Sequence, residues 1–387
     1  ASGTGQGTTV ASGATLRVRN VTSPINEPIT IAGNGVSWAG PLQSLTDGTI
    51  WAGKITIATG TFGRINSSAG TFYIRGGIDV SGGSVYLQGS PGTTIRVQNT
   101  PITGTSNVNV VNDVTAVIET TGNSWGNTVI SYGGILQLGV SDALPSSTVV
   151  TLGSAPNQNY PNGTSGTFDM NGFSQTIRGL QDAGLLTRLV KNSSNTTAST
   201  LTINNTANYT FAGTIEGNIN LVKQGSGTQT LSGNNTYTGT TEVLGGTLAL
   251  VRSDSNNNIS GSSAIRVGSG AILNVTGLAD SLLRLAAGQT LQGNGTVQGN
   301  VESPAGSFLG AGMSPGHLTI TGNYTQAGTL VVELAGYQQG GTQAVPGQWQ
   351  TNGYDWVSVG GSAVLDGSLQ IELLAGFQPQ SGDTFHV

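Results

Sequence analysis

Residues Leu221–Leu250 read LVKQGSGTQTLSGNNTYTGTTEVLGGTLAL. The apolar residues come in short bursts, separated by Gly, Asn, Ser and Thr. Leu248-Ala249-Leu250 alternates with period two, the pattern of a half-buried strand. Gly233-Asn234 accepts positive φ at little cost, so the chain can turn sharply between bursts. The same signature of Gly, hydroxyl residue and large apolar residue recurs outside this stretch. Gly70-Thr71-Phe72, Gly166-Thr167-Phe168, Gly246-Thr247-Leu248 and Gly328-Thr329-Leu330 share it, with Gly306-Ser307-Phe308 and Gly367-Ser368-Leu369 as variants. Leu136-Gln137-Leu138, Leu318-Thr319-Ile320 and Leu369–Leu373 also alternate. In the last, Leu369, Ile371 and Leu373 are expected to point inward.

Bursts about ten residues apart also fit a sandwich or barrel. Recurrence of one unit over nearly the whole chain favours coils that stack and bury their apolar edges on one another. The expected fold is all-β: a right-handed parallel β-helix (β-solenoid), a single elongated rod with protruding loops. At roughly 20–25 residues per coil, the chain makes about 15–19 coils. Its core is expected at Leu16, Val18, Ile29, Ile31, Ile55, Ile57, Leu136, Leu138, Leu248, Leu250, Leu318, Ile320, Val332 and Leu334. Three regions of one continuous solenoid are expected, at 1–122, 123–250 and 251–387.

Composition agrees and excludes alternatives. The chain has 387 residues, 62 of them Gly, with 8% charged residues, a net charge of −5 and no Cys. Disulfide scaffolds and cysteine-ligated metals are impossible. Nothing supplies the positive charge that nucleic-acid binding needs. No apolar run reaches membrane-span length. At 36% hydrophobic residues the chain is too apolar for a disordered one. It opens on Ala1 with no leader pattern, which reads as a mature secreted chain or a piece of a longer one.

Three polar stretches interrupt the rhythm and are expected as loops: Ser154–Ser165, Arg252–Ser262 and Tyr337–Gly353. Leu278–Ala287 carries helix formers, with a turn or two of helix as one reading.

Leu221–Leu250 resembles the autotransporter-associated β-strand repeat, found in passenger domains of bacterial secreted and surface proteins. The family pattern falls on Leu221, Lys223, Gly225, Gly227, Leu231, Gly233, Asn235, Tyr237, Gly239, Thr241 and Gly246-Thr247-Leu248. Trp125–Leu138 is a degraded copy that lacks the Lys-x-Gly-x-Gly opening. The resemblance implies an autotransporter passenger that folds as a parallel β-helix, located extracellularly or at the bacterial cell surface. It implies no activity and no cofactor. A C-terminal translocator barrel is not seen, so the parent is expected to be longer or to reach the surface by another route. Membrane association would come only through such a missing anchor or translocator.

Candidate chemistry is sparse. His317 and His386 lack the nucleophile elbow of a hydrolase and read as turn or surface residues. The acids are scattered: Asp79 with Glu119, and Asp355 with Asp366, are far apart in sequence, although stacking can join distant residues. Ser253–Asn258 lacks the ligand spacing of a calcium loop. Trp38, Trp51, Trp125, Trp349 and Trp356 are too separated to form a visible carbohydrate platform. Tyr337 and Trp349, in the longest loop, are the candidates for a partner contact, with packing of Trp349 on the solenoid flank as the alternative. The sites therefore include no catalytic, cofactor or metal residue. The expected function is a non-catalytic surface stalk or adhesin that presents loops to a surface glycan or protein. The alternatives are a self-assembling filament or layer, through end-to-end association, and a polysaccharide-acting enzyme.

Overall fold

The computed structural model describes residues 7–252, 258–312, 315–340 and 353–387, with the backbone alone of Gln343–Val345 and Gln348–Trp349. The chain is all-β and forms a parallel β-solenoid of about 14 turns. That is fewer coils than the sequence suggests, because two coils spend many residues on excursions. The chain divides into two compact units, Ala1–Leu201 and Thr202–Val387.

In the first unit, successive coils lay strands onto three parallel sheets. One sheet runs Thr8–Val10, Ile29–Ile31, Ile55–Ile57, Ile78–Val80 and Ile102–Gly104. Ile29, Ile55, Ile78 and Ile102 stack as direct partners, all buried. A second sheet runs Leu16–Val18, Leu42–Ser44, Thr61–Ser67, Gly83–Gly89, Val108–Val111, Thr128–Ile130, Val149–Leu152 and Gly179–Asp182. Strands this short turn cheaply, and alternation puts every second residue inside. Each fully buried side chain contributes about 1.5–3 kcal/mol.

The second unit repeats the plan. Leu248, Leu273, Val297 and Ile320 form one ladder, all fully buried. Some charges on the outside are paired between coils. Glu242 and Arg266 are register partners joined at 2.7 Å, and Arg284 and Glu302 are joined at 2.8 Å. Opposite signs on neighbouring coils avoid the repulsion that like charges would suffer at strand spacing.

The expected core residues are buried apart from Leu16, which is half-buried. Leu369, Ile371 and Leu373 differ more. Their strand, Ser368–Leu373, pairs in parallel with Thr329–Leu334 and carries them on the face of Leu330, Val332 and Leu334. Yet they are 57%, 46% and 52% exposed. Alternation sets the face, but burial needs a layer over it, and no described strand supplies one.

The excursions explain the long coils. In Ser154–Ser165, Ser154 and Thr164 form an antiparallel bridge, and Asn157 and Tyr160 exchange backbone hydrogen bonds. The ladder partner of Gln137 is consequently Asp169, 32 residues on. The Tyr337–Gly353 stretch is not a plain loop. Gln338–Gln339 pairs with Gly353–Tyr354, and Gln343–Val345 with Gln348–Trp349. Leu278–Ala287 forms a 3-10 turn at Ala279–Ser281, which ends at Asp280 and Ser281 with positive φ, and then the strand Leu282–Arg284.

Candidate functional site

The motif residues of Leu221–Leu250 build the coil. Lys223 is fully buried, and its Nζ donates to the carbonyls of Gln224, Gly225 and Gly245 at 2.6, 3.0 and 3.0 Å. Burial pulls its pKa down to about 8. Asn235 Oδ1 accepts from the Ile215 amide of the preceding coil at 2.9 Å. The buried Tyr237 hydroxyl lies 2.6 Å from Thr241 Oγ1, which in turn donates to Ser262 Oγ at 2.9 Å. The degraded copy, with Asn123 just before it, keeps the roles of Asn235 and Tyr237 but not that of Lys223. Asn123 Oδ1 accepts from the Ile102 amide at 2.7 Å, and Trp125 Nε1 donates to Thr128 Oγ1 at 2.9 Å. Thr128 Oγ1 is 2.9 Å from Thr148 Oγ1 on the following coil. Lys223, Asn235, Tyr237 and Thr241 thus hold corners and join neighbouring coils.

The residues singled out by sequence lie apart. Tyr337 is half-exposed, edge-on to Phe377 at 5.0 Å and stacked near Phe385 at 6.1 Å. A hydrogen bond to Asp383 raises its pKa. Trp349 lies on the backbone strand Gln348–Trp349, and its side chain is outside the described residues. Residues 253–257 of the polar run considered for calcium are outside them as well. The His317 ring stacks on Trp356 at 3.5 Å, with Nε2 3.0 Å from Ser358 Oγ, and burial lowers its pKa. His386 meets the Gln339 amide through its backbone carbonyl. Asp79 pairs with Lys54 at 2.8 Å, and Glu119 with Arg96. Asp355 is buried, held by the amides of Gly316 and Glu333, while Asp366 sits in the turn before Ser368–Leu373. Among the described residues, no group of three or more His, Asp or Glu is placed to hold a metal ion.

The structure assembles a different cluster, in the first unit. Register makes Arg64, Tyr86, Asn109 and Val129 successive partners across four strands. Their side chains form the floor of a cleft of about 540 Å³. One wall is Trp38, 66% exposed, carried on the 3-10 turn Val36–Trp38. The other is Tyr160, from the excursion Ser154–Ser165, set edge-on to Tyr132 with centroids 5.0 Å apart. The Arg64 guanidinium lies 4.6 Å from the Tyr86 ring centroid, 5.2 Å from that of Trp38 and 5.9 Å from that of Phe62. It donates to Asn34 Oδ1 at 2.7 Å and Gln88 Oε1 at 2.8 Å, and burial lowers its pKa. Beyond Tyr132 the cleft runs on into a hollow of about 400 Å³ lined by Asn112, Asp113 and Tyr160. Ser37, Trp38, Asn112, Asp113 and Tyr132 all hold positive φ, between 51° and 67°. Asn and Asp adopt this region readily, whereas for Trp38 and Tyr132 it is strained.

Of these residues only Trp38 is a candidate in the sequence, where the tryptophans are too separated to form a visible platform. Trp51 and Trp125 are indeed core residues, and Trp38 is grouped with tyrosines instead. The available signal was the excursion Ser154–Ser165, which carries Tyr160.

Residues 221–250 match the passenger-associated-transport-repeat family. The chain is also 34% identical over 134 residues to YuaQ, an uncharacterized protein of Escherichia coli (strain K12). That match takes in 34% of the chain and spans only 8% of the relative's length. No solved structure matches. The repeat and the parallel solenoid together fit an autotransporter passenger with β-helix repeats. The repeat implies a secreted or cell-surface passenger.

Proposed function

We propose that this chain is a non-catalytic passenger segment at the bacterial surface, a stiff stalk that presents the Trp38–Tyr160 cleft as an adhesive contact. The carrying observation is the cleft itself: Trp38, Tyr86, Tyr132 and Tyr160, the last from an excursion, converge on one side of a solenoid whose motif residues are otherwise structural. Exposed aromatic and Arg side chains are the residues that anchor interfaces. The carboxylates bear on the enzyme alternative. Asp79, Glu119, Asp182, Glu242 and Glu302 are tied up in ion pairs. A glycosidase needs two acids flanking the scissile bond, and among the described residues none lines the Arg64 cleft.

The test is retention of the purified chain on a panel of immobilised polysaccharides and extracellular-matrix proteins, beside a Trp38→Ala/Tyr160→Ala variant. Chromatography of the soluble polysaccharides after incubation follows their length. Retention lost in the variant, with polymer length unchanged, supports the proposal. Shortened polymers would make the chain an enzyme, and equal retention of the variant would move the contact elsewhere.

A further inference from the structure

We infer that the Trp38–Tyr160 cleft binds an acidic saccharide, with sugar rings on its aromatic faces and a sugar carboxylate on Arg64. The inference rests on the reading of this cleft as a contact surface and adds the chemical class of what it contacts.

The shape comes from the ladder. Four successive strands, about 4.8 Å apart, make a floor about 14 Å long, enough for a short oligosaccharide. Trp38 stands by Arg64 at one end of the floor and Tyr160 by Tyr132 at the other, with Tyr86 on the floor between them. Sugar rings present C–H faces that pack on aromatic planes and a rim of hydroxyls that needs polar partners. The cleft offers such partners. Among the described residues, the phenol oxygens of Tyr86, Tyr132 and Tyr160 and the side-chain amide of Asn112 have no protein partner.

The same geometry disfavours a peptide. Peptides laid on sheets gain most from an open strand edge. Here Thr61–Ser67, Gly83–Gly89, Val108–Val111 and Thr128–Ile130 are each paired on both sides. Only side chains remain to bind anything.

Arg64 selects an acid. Lys54, Arg96, Arg188, Arg266 and Arg284 all have carboxylate partners. Among the described residues Arg64 has none; Nε and one terminal nitrogen are held by the neutral side chains of Asn34 and Gln88. A half-buried cation without a counter-charge is costly, and aromatic faces offset only part of that cost. Its second terminal nitrogen is held in place by the other two bonds, ready for a charge-assisted hydrogen bond. Asp113 lines the adjoining hollow rather than the Arg64 cleft, so it disfavours an acidic group at that far end.

Calorimetric titration of the full chain decides the matter. The probes are trigalacturonate, a hyaluronan tetrasaccharide and sialyllactose, each beside its carboxyl-reduced counterpart, and a proline-rich peptide as a control. The expected result is saturable binding of at least one carboxylated sugar, with its reduced counterpart about tenfold weaker or worse. Arg64→Gln should abolish that difference, and Tyr160→Ala should weaken both members of the pair, with circular dichroism unchanged. If Arg64→Gln does not fold, the wild-type comparison of acidic and reduced sugars still decides. Equal affinity for both members of each pair, binding of the peptide alone, or no binding of any probe overturns the inference. Retention on the immobilised panel that is lost in Trp38→Ala/Tyr160→Ala, without binding of any acidic sugar, overturns this inference and leaves the contact surface standing. Absence of both removes both.

Discussion

Lys223 Nζ donates to the Gly245 carbonyl at 3.0 Å, so a side chain of one coil closes the corner of the next. The same ammonium holds two carbonyls of its own corner. All three donor protons are used, which is why a buried Lys is tolerable here.

Lys223→Met keeps most of the volume and strands three carbonyls. The expected loss is about 2–4 kcal/mol. The readings are a lower urea midpoint and faster amide exchange across residues 221–250. An unchanged exchange pattern would mean that water replaces the ammonium at no cost.

Gly233 is a matter of space. A Cβ there would lie 1.8 Å from the Gly213 carbonyl oxygen. Gly233→Ala must therefore push two coils apart and break their hydrogen bonds. Limited proteolysis should reveal a new cleavage site near this corner. Gly13 has nothing near a Cβ but holds φ of +85°, so Gly13→Ala should cost only backbone strain, about 1 kcal/mol, and create no such site.

Asp355 links folding to pH. Burial raises its pKa to about 7, although the amides of Gly316 and Glu333 favour the charged form. The folded state thus binds a proton that the unfolded chain releases at about pH 4. The contribution of Asp355 to stability is fully present below about pH 4, falls as pH rises to about 7, and is level above that. Over this window the thermal midpoint of the wild type should fall, as pH rises, relative to that of Asp355→Asn, which lacks the titrating group. Parallel curves would show that Asp355 ionises alike in both states.

Deleting Gln338–Gln350 separates two surfaces. Tyr337 and Trp349 are the partner-contact candidates of the sequence, whereas the cleft lies in the other unit. The deletion is expected to leave retention on the glycan and protein panel intact, with β circular dichroism unchanged. Lost retention with an intact fold would return the contact to Tyr337 and Trp349.

Much of this protein is legible in its residues. Period-two bursts such as Leu248-Ala249-Leu250, with Gly and Asn at the corners, specify short strands and sharp turns through local sterics alone. Repetition then implies stacking, since no single coil can bury its own apolar edge. The Asn-x-Tyr spacing of Asn235 and Tyr237 is equally local, and Asn123 with Trp125 carries the same roles.

Burial and juxtaposition were decided only by the tertiary structure. The alternation of Leu369, Ile371 and Leu373 determines their face, but only a layer above could exclude water from them. Arg64 meets Tyr86 because coil length sets the register, and coil length depends on every corner and excursion between them. Tyr160 reaches Tyr132 because the Ser154–Ser165 excursion folds back on the sheet. Strand propensity acts between neighbours in the chain, whereas a cleft on a solenoid is made by residues one or more whole turns apart.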